Sequence, residues 1–296
     1  MLIPCDVIAQ ELKLNITARV ENLKRNNIYP HFAAVLVGDS SEQRSFVQIK
    51  KRVAKQLGIR FTLSVFEEVL PFNLFLSRMQ AIAGDRNVHG MIVQHPLPSV
   101  YDLRKIYEVI PTEKEIEGFK PDSRYHFPLV HAVFSGLKWV ILNDSKDSEQ
   151  KKYFTDLTED KKLFVDFLHD KHVVVAGRGI TGGAHVAHFL DECGINYTIA
   201  HSQSPNPDEI YKKADVIITA VGKKVLSDKS LKHGVILLNV GLRKEEGKLI
   251  GDYDEDEIKS AASFYTKTPK GLGPLDVLYL YNNLAHAAER RFQVKM

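Results

Sequence analysis

The stretch that most constrains this chain is the apolar run Val173-Val174-Val175-Ala176, which leads directly into Gly177-Arg178-Gly179-Ile180-Thr181-Gly182-Gly183. A short run of small and β-branched apolar residues predicts a buried parallel strand. Glycines at 177, 179 and 182 keep the spacing Gly-x-Gly-x-x-Gly, which lets backbone amides at a helix N-terminus approach a pyrophosphate. Taken alone, these residues also fit an ordinary tight strand-to-helix turn, but their surroundings favour a dinucleotide. The segment 197–200 ends where a Rossmann fold places the residue that reads the adenine ribose, and segments 215–221 and 235–240 each run into glycine. The chain continues His201-Ser202-Gln203-Ser204, so the carboxylate that would hold the 2′-hydroxyl of NAD is missing. Arg178 and Ser202 can instead donate charge-assisted hydrogen bonds to a 2′-phosphate. NADP is the expected cofactor.

With 296 residues, 44% hydrophobic and 26% charged, the chain can build two domains of ordinary composition. A net charge of +3 from 40 basic and 37 acidic side chains gives no support to a nucleic-acid or membrane-surface role. Cys5 and Cys193 stand far apart without metal-ligand spacing, which suggests a reducing compartment. No apolar stretch approaches the roughly 20 residues that span a bilayer, and the N-terminus lacks a basic leader pattern, so a cytoplasmic protein is expected. His185 and His188 are three apart on a predicted helix, but without a third ligand they read as helix surface and packing, and no metal is expected.

The polar segment 143–162 reads as a linker or surface excursion with a short helix around Tyr153 and Phe154. Before it, helices near 8–27, 43–57 and 71–83 alternate with strands at 31–37, 61–66 and 90–94, which predicts a second parallel α/β sheet. The expected organisation is a substrate domain over 1–142, joined by a returning helix at 277–296, the linker, and a Rossmann domain over 163–276, with a cleft between the two domains. Ligands in parallel sheets sit beyond the carboxyl ends of strands, so the residues after Val37 and Val93 matter most. The helix after Val37 predicts a buried stripe of Phe46, Ile49, Val53 and Leu57, with Lys50 on the face of Phe46 at its edge. By itself Lys50 reads as a solvated lysine, and Gln94-His95-Pro96-Leu97-Pro98 as a proline-stiffened turn.

Together these pieces resemble the bifunctional methylenetetrahydrofolate dehydrogenase/cyclohydrolase family. The family pattern Val-Gly…Tyr-Val-x-x-Lys is similar to Val37-Gly38…Phe46-Val47-Gln48-Ile49-Lys50, and Gln-Leu-Pro-Leu-Pro to the loop at Gln94. Lys-Asp-Val-Asp-Gly-Phe resembles Lys114-Glu115-Ile116-Glu117-Gly118-Phe119. Gly-Arg-Ser falls on Gly177-Arg178-Gly179, His-Ser on His201-Ser202, Ala-Val-Gly on Ala220-Val221-Gly222, and Gly-Val-Gly-Pro-Met-Thr on Gly271-Leu272-Gly273-Pro274-Leu275-Asp276. Departures gather on the folate side. Phe46 replaces Tyr, Glu117 replaces Asp, His95 replaces Leu, and Pro128-Leu129-Val130-His131 replaces Pro-Cys-Thr-Pro; Lys267, Lys270 and Asp276 depart in the late loop.

The resemblance implies NADP-dependent oxidation of 5,10-methylenetetrahydrofolate to the methenyl cation, followed by hydrolysis to 10-formyltetrahydrofolate. It makes Lys50, Gln94 and Glu117 the catalytic residues, and lines the folate site with Phe46, Val93, His95, Gly273 and Pro274. It assigns Gly177, Arg178, Gly179, Gly182, Ser202, Val221, Gly222 and Leu242 to the cofactor, and implies a homodimer. A lysine moves protons near neutral pH only if its pKa falls from about 10.4 toward 7. Hydride transfer rests more on alignment, so it should tolerate Phe46 better than hydrolysis does. Two other readings stand beside this one: a non-catalytic dinucleotide-binding protein, and a dehydrogenase of similar plan for another small substrate such as an amino acid or shikimate. The presence of Lys50 and Gln94 argues against both.

Overall fold

A computed structural model describes residues 1–38, 40–144, 152–245 and 248–293. The chain forms two compact units, Lys13–Pro128 with Val277–Met296, and Met1–Leu12 with Leu129–Asp276. In the first, strands β1 (His31–Val37), β2 (Arg60–Phe66) and β3 (Gly90–Val93) form a parallel sheet in the order β2-β1-β3. Every residue of β1 is buried, as a central strand covered on both faces requires. Helix α1 (Cys5–Arg25) precedes β1, while α2 (Ser41–Gln56) and α3 (Phe72–Gly84) connect the strands. One side of the sheet packs on Phe75 and Met79 of α3, together with Tyr101. Helix α4 (Leu103–Glu108) adds Ile106 and Tyr107 to this core. The returning helix α10 (Leu272–Gln293) sets the fully buried Tyr281 edge-on to Phe32 at 5.5 Å.

The predicted stripe on α2 needs correction. Ile49 is 36% exposed, whereas Gln43, Val47 and Ala54 are buried. The helix turns the small side chains of Val47 and Ala54 inward, and this rotation carries Ile49 toward solvent. Lys50 is three residues after Val47 and four before Ala54, so it shares their side of the helix and is half-buried.

The second unit carries a five-stranded parallel sheet of β4 (Val173–Ala176), β5 (Tyr197–Ala200), β6 (Val216–Thr219), β7 (Val235–Asn239) and β10 (Ala262–Tyr265), in the order β10-β7-β6-β4-β5. A hairpin of β8 (Arg243–Glu245) and β9 (Lys248–Ile250) stands apart from it. Helices α5 (Pro128–Asp144), α6 (Lys161–Leu168) and α7 (Gly183–Glu192) pack through Phe134, which meets Phe164 and Phe189 at 4.8 and 4.6 Å. Short helices α8 (Pro207–Tyr211) and α9 (Glu255–Ile258) follow, and α10 (Leu272–Gln293) ends the described chain. None of the described helices is long and apolar enough to cross a membrane.

Residues 152–160 form no helix around Tyr153 and Phe154. The Asp160 carboxylate instead accepts from Lys138 Nζ on α5 at 2.7 Å, from Thr155 Oγ1 at 2.6 Å and from the Asp156 amide at 3.1 Å. With Leu157 and Thr155 buried, this stretch is tied to α5 and is no loose span; the two ends of the predicted linker, 143–144 and 161–162, belong to helices α5 and α6, and 145–151 lie outside the described residues. Consistent with that tie, 129–142 cluster with the second unit, although the sequence places them in the first domain.

Two half-buried histidines give the fold a pH dependence. Burial, reinforced by the charges of Arg291, His31 and Lys114, pushes His89 down to about 4, and burial does the same for His185 on α7. Each enters the fold neutral, so its contribution is complete above the unfolded value of 6.5 and is lost as pH falls toward 4. At about 1.4 kcal/mol per pH unit, each site removes on the order of 3 kcal/mol over that window. Urea unfolding at pH 7 and pH 4.5 should show a loss of this order, reduced in His89→Asn and His185→Gln. Equal midpoints at the two pH values would contradict it.

Candidate active site

The first unit places an amine against an amide at the carboxyl end of its sheet. Gln94 directly follows β3, its backbone N–H donating to Val35 O at 2.8 Å. Its side chain is 9% exposed and held at both ends: Oε1 accepts from Lys50 Nζ at 3.0 Å, and Nε2 donates to His95 O at 2.9 Å. The second bond orients the amide so that its oxygen faces the lysine. The backbone at Lys50 is also fixed, since Tyr281 Oη donates to Lys50 O at 2.7 Å. Phe46, one helical turn earlier, is half-buried.

Glu117 sits in a loop organised by a residue whose role the sequence does not reveal. Glu115, 1% exposed, accepts from the amides of Glu117 and Gly118 at 2.8 Å and of Phe119 at 3.3 Å, and its other oxygen accepts from Ser123 Oγ. Gly118 has φ +86, and a Cβ there would meet Tyr125 O at 2.7 Å and Phe127 N at 2.8 Å, so the turn requires glycine. The charge of Glu117 reaches Tyr107, whose hydroxyl is pushed up first by burial and then by Glu117 and Glu115. Tyr107 in turn meets His95 Nε2 at 2.8 Å, and both rings stack on Phe119. Burial lowers the His95 pKa below the usual histidine range. Val93 is fully buried in the core, so only its main chain borders the loop.

In the second unit the strand order reverses between β4 and β6, the position where open parallel sheets bind ligands. Gly177, with φ +101, follows β4; a Cβ there would stand 2.4 Å from Ala220 O. The closest approach of helix to turn belongs to Gly183, where a Cβ would fall 2.1 Å from Gly177 O. At Gly182 the corresponding contact is 3.2 Å, to Ala220 Cβ. The adjacent Gly182-Gly183 pair is visible in the sequence, but the spacing alone selects the first. A Cβ on Gly179 would meet nothing within 4 Å, and α7 begins with no side-chain cap on its N-terminal amides. Open space beside a helix N-terminus that carries no side-chain cap fits a pyrophosphate.

Arg178 donates to Gln203 Oε1 at 3.3 Å, which brings its guanidinium to the loop after β5 beside the exposed Ser202. Asp252, absent from the expected set, braces the other side. Its two oxygens accept from the amides of Val221 at 2.8 Å and Gly222 at 2.9 Å, and burial raises its pKa. Asn239 donates to Gly241 O and accepts from the Asp252 amide, which links the turn before Leu242 to this brace. Asp252 is 30 residues beyond Gly222 in sequence, and no local signal marks it. Gly273 and Pro274 lie in the first turn of α10 rather than in a free loop.

A glycine turn at a strand-order reversal and a separate α/β unit holding an amide-bound lysine mark a two-part α/β enzyme of the nucleotide-binding class. Two family models match the chain: the tetrahydrofolate dehydrogenase/cyclohydrolase catalytic domain over residues 3–117, and that family's NAD(P)-binding domain over residues 158–292. The bifunctional protein FolD of Anoxybacillus flavithermus is 32% identical over 291 residues, covering 96% of each chain. The FolD protein of Macrococcus caseolyticus is 31% identical over 287 residues, covering 97% of this chain and 96% of its own. Among solved structures, the bifunctional FolD methylenetetrahydrofolate dehydrogenase/cyclohydrolase from Campylobacter jejuni matches with a TM-score of 0.79 and 26% identity, covering 98% of this chain and 99% of that one. The chain belongs to the tetrahydrofolate dehydrogenase/cyclohydrolase family.

Proposed function

We propose that this protein oxidises 5,10-methylenetetrahydrofolate to the 5,10-methenyl cation, with weaker hydrolysis of that cation to the 10-formyl product. NADP would supply the hydride acceptor. The observation that carries the reading is the Lys50 amine held at 3.0 Å from an amide whose own orientation is fixed. In hydrolysis, water adds to the methenyl carbon, a proton leaves that water, and the carbon–nitrogen bond opens. Lys50 is the group proposed to move the proton, and Gln94 keeps its amine aimed. Phe46 offers a ring for stacking but no hydroxyl to hydrogen-bond the amine, so this step is the one expected to weaken. Glu117 is proposed to hold the amidine edge of the pterin from the loop that Glu115 braces. Val93, His95, Gly273 and Pro274 are proposed to border the folate. The Rossmann portion within 163–276 is proposed to take NADP through Gly177, Gly179, Gly182, Val221, Gly222 and Leu242, with Arg178 and Ser202 on its 2′-phosphate. The working form is proposed to be a cytoplasmic homodimer, as the family resemblance implies.

Folate binding tests this reading apart from turnover. With NADP present, a tetrahydrofolate should raise the melting temperature of the wild type, and Glu117→Ala should lose most of that shift while keeping its NADP affinity. Absence of any folate-dependent shift in the wild type would favour a dinucleotide-binding protein that no longer accepts substrate.

A further inference from the structure

A second cavity lies at the opposite end of the first unit's sheet from Gln94. Its volume is about 230 Å³, and Arg60, Arg86, Arg291, His89, Asn87 and Tyr29 are among its lining residues. Arg60 is the first residue of β2, in register with His31 at the start of β1, and His89 immediately precedes β3. Gln94 lies beyond the other end of β3. The seven residues of β1 separate the two ends of the sheet by roughly 20 Å at about 3.3 Å per residue. The folate machinery described above uses none of these residues.

The cavity is strongly cationic. Among the described residues, none of the three guanidiniums pairs with a carboxylate; Arg291 donates only to Val88 O at 3.2 Å. The nearby acid is Asp85, whose Oδ1 already accepts from the Asn87 amide and side chain at 2.8 and 3.1 Å. Lys114 adds a further charge behind the wall, its Nζ donating to the carbonyls of Ala83 and Asp85. The Nδ1 atoms of His31 and His89 are buried and make no hydrogen bond, although the Asn87 carbonyl is close enough to favour their protonated forms. Even so, burial and the surrounding positive charges hold both rings neutral-leaning. Like charges gathered around a concave space repel one another unless an anion joins them, and guanidinium forks match the oxygens of a phosphate.

We infer that this cavity is a binding site for a small phosphoanion carrying at least two phosphate groups, held by Arg60, Arg86 and Arg291. The exposed ring of Tyr29 stands among the lining residues and gives an attached base a surface to stack on. An inorganic polyphosphate and a nucleotide therefore share the chemistry and differ only in their use of Tyr29.

Calorimetric titration of the full chain with pyrophosphate, tripolyphosphate and ATP tests the site. The glycine turn of the other unit is itself proposed to take the phosphates of NADP, so two variants separate the sites. Arg60→Gln/Arg86→Gln alters two exposed side chains with no folding role and should weaken pyrophosphate binding tenfold or more, while Arg178→Ala should leave this component intact. If Tyr29 stacks a base, ATP binds more tightly than tripolyphosphate and Tyr29→Ala removes the difference. Equal affinity of the two identifies the phosphates as the whole ligand. No titratable binding in the wild type, or affinity unchanged in Arg60→Gln/Arg86→Gln, would overturn the inference.

Discussion

Lys50→Met is expected to abolish hydrolysis of the methenyl cation, a loss of about 10²-fold or more if the amine is the proton-transfer group, while hydride transfer survives in part. The difference follows from what each step asks of the protein. Hydrolysis needs a group that takes a proton as water adds, and the Lys50 amine, held by its bond from Nζ to Gln94 Oε1 at 3.0 Å, is placed for that purpose. Hydride transfer needs the two reacting carbons brought together, which alignment dominates. Met keeps the length and apolar stem of the side chain, so the half-buried position on α2 should remain filled. Phe46→Tyr works in the opposite direction: it returns a hydroxyl one turn from the amine and should raise hydrolysis relative to oxidation. Hydrolysis surviving in Lys50→Met, together with an unchanged ratio in Phe46→Tyr, would remove these residues from the mechanism.

The second large effect is expected at Gly183. A Cβ at that position would stand 2.1 Å from Gly177 O and 2.8 Å from Gly177 C. Both are backbone atoms of the turn, so Gly183→Ala must displace either the helix or the turn. Overpacking of this kind costs about 1–3 kcal/mol, and the displaced amides should weaken NADP binding by about tenfold or more. Gly179→Ala separates the two effects. Its Cβ meets no protein atom within 4 Å, so stability should be unchanged while cofactor affinity falls, because the open space is where the pyrophosphate is proposed to sit. Thermal melts and NADP titrations of both variants check this. Wild-type stability in Gly183→Ala would contradict the packing described.

The parts of this molecule legible in its sequence are those whose signals are local. An apolar run ending in glycine announces β4 and its turn, and alternation of strands with amphipathic helices announces both parallel sheets. Lys50 shows how far local reading goes: helical spacing puts it beside Phe46, but its place on the inward side of α2 depends on which residues the sheet accepts. That choice favours Val47 and Ala54 over Ile49, and no periodicity count distinguishes them. Asp252 and Glu115 were hidden for a related reason. Each is a buried carboxylate satisfied by backbone amides, and for Asp252 those amides are 30 and 31 residues away. The tether of Asp160 to Lys138, 22 residues apart, likewise turns a stretch of linker-like composition into fixed structure.

The most direct test of the central claim is an absorbance assay for methenyl formation from 5,10-methylenetetrahydrofolate, run with NADP and then with NAD. The account predicts oxidation that is faster at limiting NADP than at equal NAD, with that preference diminished in Arg178→Ala. No methenyl formation with either cofactor would contradict the assignment of this chain as a methylenetetrahydrofolate dehydrogenase.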